Sequence, residues 1–122
     1  GYHTITPYLT AVGAAKLIEF LKEGLGAEEV AKTEMNGLVM NAELRIGDSM
    51  LMVSEARSPE QARPATLYLY VENTDALYER AVKAGAKSLL KPQDMFYGDR
   101  NGGVQDFAGN QWWIATRIED VS

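Results

Sequence analysis

The sequence predicts an α+β fold of two tandem modules, each running strand, helix, then three strands. Three observations predict it. An extended run leads into an amphipathic helical pattern twice, and each helical pattern ends on a glycine–alanine pair. Each half then closes on a glycine turn followed by an apolar strand. Between the halves, the stretch from Ser54 to Pro64 is polar and carries two prolines, as a linker does. The modules are expected to span 1–57 and 64–122 of one 122-residue domain.

In the first half, Ile5 to Leu9 reads as a strand and Leu17, Ile18, Leu21 and Leu25 recur at helical spacing. In the second, Leu67 to Val71 is followed by Leu77, Tyr78, Ala81 and Val82 at the same spacing. Asn73-Thr74-Asp75 supplies a cap and a first-turn acid for the second helix, whereas the first, near Gly13, has a weaker cap. Gly26-Ala27 and Gly85-Ala86 stop the helices, because glycine adopts the left-handed conformation without strain. The closing strands follow Gly47-Asp48-Ser49 and Gly109-Asn110-Gln111. Four aligned landmarks argue for a duplication.

Strand alternation assigns faces. Ile5, Pro7 and Leu9, and likewise Leu67, Leu69 and Val71, form aliphatic faces suited to burial under the helices. The opposite faces carry Thr6, Tyr8 and Thr10, and Thr66, Tyr68 and Tyr70: apolar bodies with hydroxyl tips, suited to a concave binding surface or to a half-exposed sheet. Trp112 and Trp113 point to opposite faces, Trp112 to the core and Trp113 to this surface.

Composition narrows the function. Apolar residues make up 46 % and charged residues 24 %, the balance of a globular protein without a membrane span. Twelve Lys and Arg against seventeen Asp and Glu leave a net charge of −5, which disfavours a nucleic-acid partner. There is no cysteine, hence no disulfide, thiolate metal site or Cys nucleophile. The N-terminus shows no basic-then-apolar signal segment, and a cytoplasmic protein is expected. His3, the one histidine, cannot alone build a triad or a multi-histidine metal site, and it reads as a solvated residue.

The duplicated halves, with Ile5-Thr6-Pro7-Tyr8-Leu9, Ala42-Glu43-Leu44-Arg45-Ile46-Gly47-Asp48-Ser49, Phe96-Tyr97-Gly98-Asp99-Arg100 and Asp106-Phe107-Ala108-Gly109-Asn110-Gln111-Trp112-Trp113, resemble one known family. It is the glyoxalase/bleomycin-resistance/extradiol-dioxygenase (vicinal oxygen chelate) superfamily, and in particular its PhnB-like branch. The resemblance implies two βαβββ modules in a curved mixed sheet around a cavity, and a homodimer. In metal-dependent members each module gives one ligand from its first strand and one from its last, for Lewis-acid chemistry. Carried over, those positions fall on Thr6, Thr66, Leu51 and Trp113, with a one-residue slip allowed at Leu51. None is a histidine or a glutamate, so no metal and no cofactor is expected. Asn41 stands where relatives commonly have histidine, an amide in place of a titrating base. Gly13 replaces an aspartate at the helix entry.

The reading that results is a metal-independent small-molecule-binding protein, with Thr6, Tyr8, Asn41, Thr66, Tyr68, Phe96, Tyr97, Arg100 and Trp113 as ligand-binding residues and no catalytic residue assigned. Arg100 either grips a carboxylate or phosphonate, which makes an acidic ligand a candidate, or belongs to a structural Asp99–Arg100 turn. Gly102-Gly103 suggests a tight turn or bulge between the sixth and seventh strands. Trp113 either fills the space of the lost ion or walls a flat aromatic ligand. Glu43 and Arg45 read as a solvent or dimer-surface pair, and the methionines as core or pocket lining. The alternative is a lyase, isomerase or dioxygenase with a metal on His3, Glu43, Asp99 or Asp106, or a metal-free isomerase using Tyr8, Tyr68 or Arg100.

Overall fold

The computed structural model describes residues 2–119. Gly1 and 120–122, at the outer ends of the expected modules, lie outside the described residues. In chain order the elements are β1 (Tyr8–Ala11), α1 (Ala14–Leu25), β2 (Glu28–Met35), β3 (Leu38–Ile46), β4 (Ser49–Glu55), a 3-10 turn (Pro59–Gln61), β5 (Thr66–Tyr70), α2 (Thr74–Lys83), β6 (Lys87–Asp94), β7 (Asp99–Gln105) and β8 (Gln111–Arg117). Strand–helix–three-strand thus occurs twice. The strands form two mixed four-stranded sheets, ordered β1-β4-β3-β2 and β5-β8-β7-β6. In each, the first strand of the half pairs in parallel with the last and lies at the sheet edge.

Each sheet buries one face under its own helix. Leu9, Leu44 and Val53 meet Leu17, Ile18 and Leu21 in the first half, while Val104, Trp112 and Ile114 meet Tyr78 and Ala81 in the second. The helices then join the halves. Gly24 on α1 lets Ala84 approach, since a Cβ there would sit 3.2 Å from the alanine methyl. Arg80 of α2 donates to the carbonyls of Glu23 (2.6 Å) and Lys22 (3.2 Å), which the end of α1 leaves without helical partners. No described helix is long and apolar enough to cross a membrane.

Three local expectations need correction. The first strand begins at Tyr8, not Ile5, because Pro7 has no N–H to give to a ladder; Ile5 is 85 % exposed instead of buried. Gly102 and Gly103 are not a turn; they lie inside β7, where side chains from neighbouring elements crowd the backbone. The irregularity is in the facing strand, where β6 shifts register between Ser88 and Leu90 and between Leu90 and Gln93. Finally, α1 is capped from a distance: Glu55 accepts from the N–H groups of Gly13 and Ala14, both at 2.9 Å. The second cap is the expected one, Asn73 accepting from the Ala76 N–H at 3.1 Å.

Candidate functional site

The face of the second sheet turned away from α2 is set by register. On β8 and β5, Trp113 pairs with Tyr68 and Ala115 with Tyr70; on β8 and β7, Trp113 pairs with Gly103, Ala115 with Asn101 and Arg117 with Asp99. Paired residues share a face, so Tyr68, Tyr70, Trp113, Arg117, Asp99, Asn101 and Gly103 lie together. Trp113 lies over the Gly103 backbone, in space that any Cβ at 103 would occupy.

A carboxylate organises this face. Asp99 is buried and accepts from the hydroxyls of Tyr68 at 2.8 Å and Tyr70 at 3.2 Å, both on Oδ2. Arg117 Nε lies 2.8 Å from Oδ1, a charge pair that offsets the cost of burying the carboxylate. Asn101 Nδ2 donates to the Tyr97 hydroxyl at 3.0 Å, and its own Oδ1 is buried without a hydrogen-bond partner. Burial, the hydrogen bond to Asp99 and the neighbouring Tyr97 hold the Tyr68 phenol protonated far above its ordinary value of 10.0. It is a neutral hydroxyl at physiological pH, not a base. The rings of Tyr68 and Tyr70 stand 5.2 Å apart.

A cavity of about 670 Å³ runs along the free edge of β5 between the halves, lined by Leu25, Ile46, Leu51, Leu77, Trp112 and the strand itself from Thr66 to Val71. A second, of about 490 Å³, lies on the first sheet against Tyr8, Thr10, Leu38, Met40 and Ser54. The residues chosen from sequence divide accordingly. Thr66 and Tyr68 border the larger cavity, and Tyr8 borders the smaller. Tyr97 and Trp113 join the Asp99 face without lining either cavity. Thr6 precedes β1 and is directed to the His3 carbonyl at 3.4 Å. Asn41 sits at a bulge of β3, half-buried, its Oδ1 without a partner. Phe96 is 90 % exposed in the β6–β7 turn. Arg100 is on the opposite, helix-side face. Its Nε and Nη2 clasp Asp75 at 2.6 and 2.9 Å, and its Nη1 meets Asp94 at 2.9 Å. The structural reading of Arg100 fits this geometry, with Asp75 and Asp94 as partners in place of Asp99.

Four polar members of the Asp99 face escaped the sequence reading as ligand-binding residues: Tyr70, Asn101, Arg117 and Asp99 itself, which figured only as a metal candidate. The alternation of Asp99, Asn101 and Gly103 along one strand was the available signal. What no alternation reveals is that Arg117 pairs across with Asp99.

The similarity to known proteins now has a geometry to attach to. A profile of the Glyoxalase/Bleomycin resistance protein/Dioxygenase superfamily matches residues 3–114. The chain belongs to that superfamily. An uncharacterised protein of Mycobacterium bovis is 28 % identical, the alignment covering 97 % of this chain and 86 % of that one. Among solved structures, TioX from a Micromonospora species superimposes with a TM-score of 0.83 at 21 % identity, over 97 % of this chain and 100 % of that one. A glyoxalase/bleomycin resistance protein/dioxygenase family enzyme from Burkholderia phytofirmans gives 0.75 at 16 % identity, over 91 % and 95 % of the two chains.

The superfamily's metal-dependent members raise the question of whether an ion fits here. Leu51 pairs with Leu44 and is buried in the core. The residue equivalent to Trp113 is Met52, because Met52 pairs with Tyr8 as Trp113 pairs with Tyr68. The slip at Leu51 is therefore real. Thr6, Met52, Thr66 and Trp113 offer two hydroxyls, a thioether and an indole, a donor set that does not fit a catalytic divalent ion. The other candidates are engaged separately. Glu43 accepts from the Tyr2 hydroxyl, His3 Nε2 meets the Asp48 carbonyl at 2.9 Å, and Asp106 accepts from the Trp112 indole N–H at 2.9 Å. Asp106 also takes backbone N–H groups of Ala108 (2.9 Å) and Asn110 (3.0 Å), so it builds the turn before β8.

Proposed function

We propose that this chain, a member of the PhnB-like branch, binds a small molecule without a metal ion on the aromatic, hydroxyl-rich sheet faces of a homodimer. The observation that carries the reading is the chemistry of the four inherited ligand positions, where a carboxylate and imidazole set is replaced by groups that pack and hydrogen-bond. The surroundings support binding over turnover. The Tyr68 phenol is neutral, and the Asp99 carboxylate is committed to three partners. The adjoining cavity of about 670 Å³ is of the size that small-molecule sites have.

Elemental analysis of protein purified without chelator tests the reading, together with titration by nickel, zinc, manganese and iron(II). The expected result is no stoichiometric ion, while flat aromatic compounds raise the melting temperature. About one tightly held ion per chain overturns it and places the chain with the metal-dependent lyases, isomerases and dioxygenases of the superfamily.

A further inference from the structure

We propose that the Asp99 face selects ligands by their hydrogen-bond donors: it takes an aromatic body bearing an ammonium or amide N–H group in preference to one bearing a carboxylate. The inference rests on the binding reading above and names its ligand class. It follows from where the protons go. An ionised carboxylate only accepts, and a phenol has one proton and two lone pairs. Tyr68 and Tyr70 both spend their single proton on Asp99 Oδ2, at 2.8 and 3.2 Å. Lone pairs are all that their hydroxyls, on side chains 44 % and 62 % exposed as residues, have left for a ligand. The same polarity continues inward, where Tyr97 receives the Asn101 amide proton at 3.0 Å. The Trp113 N–H is directed to Gln111 Oε1 at 3.3 Å.

The cations that would favour an acid are already engaged. Arg100 has its bidentate fork filled by Asp75 and lies on the other face of the sheet. Arg117 is compensated by Asp99 at 2.8 Å, so the pair adds no net charge, and its guanidinium stands 6.0 Å from the Tyr70 ring centroid. A carboxylate placed here sets lone pairs against lone pairs and leaves both desolvated, whereas a donor satisfies them. The chain's net charge of −5 acts in the same direction at long range.

Calorimetric titration of the full chain with three matched indoles tests this: tryptamine, indole-3-propionamide and indole-3-propionate. The amine and the neutral amide are expected to bind about tenfold tighter than the propionate. The amide preference should persist at about 0.5 M salt, where long-range attraction is screened. Tyr68→Phe should erode the preference, weakening the amide more than the propionate. Tyr70→Phe, at a more exposed ring, repeats the test should the first variant fold poorly. Propionate binding as tightly as the amide overturns the donor rule while leaving the binding reading intact. Preference unchanged in both phenylalanine variants overturns it also, since the acceptor then lies elsewhere. No binding of any of the three overturns both readings.

Discussion

The Trp113 ring occupies the space beside Gly103, its register partner on β7, so a Cβ at 103 is driven into the indole ring. Gly103→Ala is therefore expected to destabilise the fold by roughly 1–3 kcal/mol, the cost of overpacking. In a Trp113→Ala background the ring is gone and most of that cost should vanish. A double-mutant cycle by denaturant unfolding measures the coupling; additive effects would show that the ring does not occupy this space. Trp112→Ala provides the contrast. Its ring is fully buried and its N–H bonds Asp106, so truncation should cost on the order of 3–5 kcal/mol. Alternation made the opposite facing of the two tryptophans legible in the sequence. The purpose of Gly102-Gly103 was not legible, because the side chains they make room for come from β8, β6 and α2.

At the scale of elements, the helix ends show the same division. Asn73 sits next to the helix it caps, and its role could be read directly. Glu55 caps α1 from 41 residues away, and nothing in the local pattern around Gly13 points to it. Glu55→Ala is expected to cost about 0.5–2 kcal/mol, as loss of a good N-cap does, with Glu55→Gln recovering part of it in thermal melts. The Arg100–Asp75 clasp ties β7 to the first turn of α2 and has a pH signature. The Arg100 hydrogen bonds hold the Asp75 carboxyl below its ordinary value of 3.8. A proton then binds the folded chain more weakly than the unfolded one, so acid favours unfolding. The contribution is fully present above 3.8 and is lost as pH falls below it through the depressed folded value. As pH falls below 3.8, the wild type should therefore lose more stability than Asp75→Asn. Equal losses in the two proteins would show that the clasp carries no linkage.

For the whole molecule, duplication was legible because each half repeats its landmarks locally, and the structure adds that equivalent residues share equivalent registers, Tyr8 with Met52 and Tyr68 with Trp113. How the halves meet was not legible. It depends on Gly24 admitting Ala84 and on Arg80 reaching carbonyls of another helix, contacts between surfaces that no single-strand or single-helix pattern encodes. That packing, helix against helix, leaves the outer faces of both sheets open. Tyr8, Leu38 and Met40 on the first and Tyr68 and Tyr70 on the second are all exposed. So is the free edge of β5, paired on one side only, while the outer edge of β1 carries just a single bridge, Thr10 to Arg63. Exposed edges next to apolar faces invite pairing with another chain. A two-fold partner would cover them in closed form, with the first sheet of one copy set against the second sheet of the other. Light scattering coupled to size exclusion should accordingly give twice the 13.4 kDa chain mass, at micromolar concentration. Tyr8→Glu with Met40→Glu, which place charge on one open face without touching either core, should shift the mass toward one chain and leave the helical circular dichroism unchanged. A wild-type protein that stays monomeric at micromolar concentration and binds no hydrophobic dye would show that these faces need no cover, and the homodimer would be wrong.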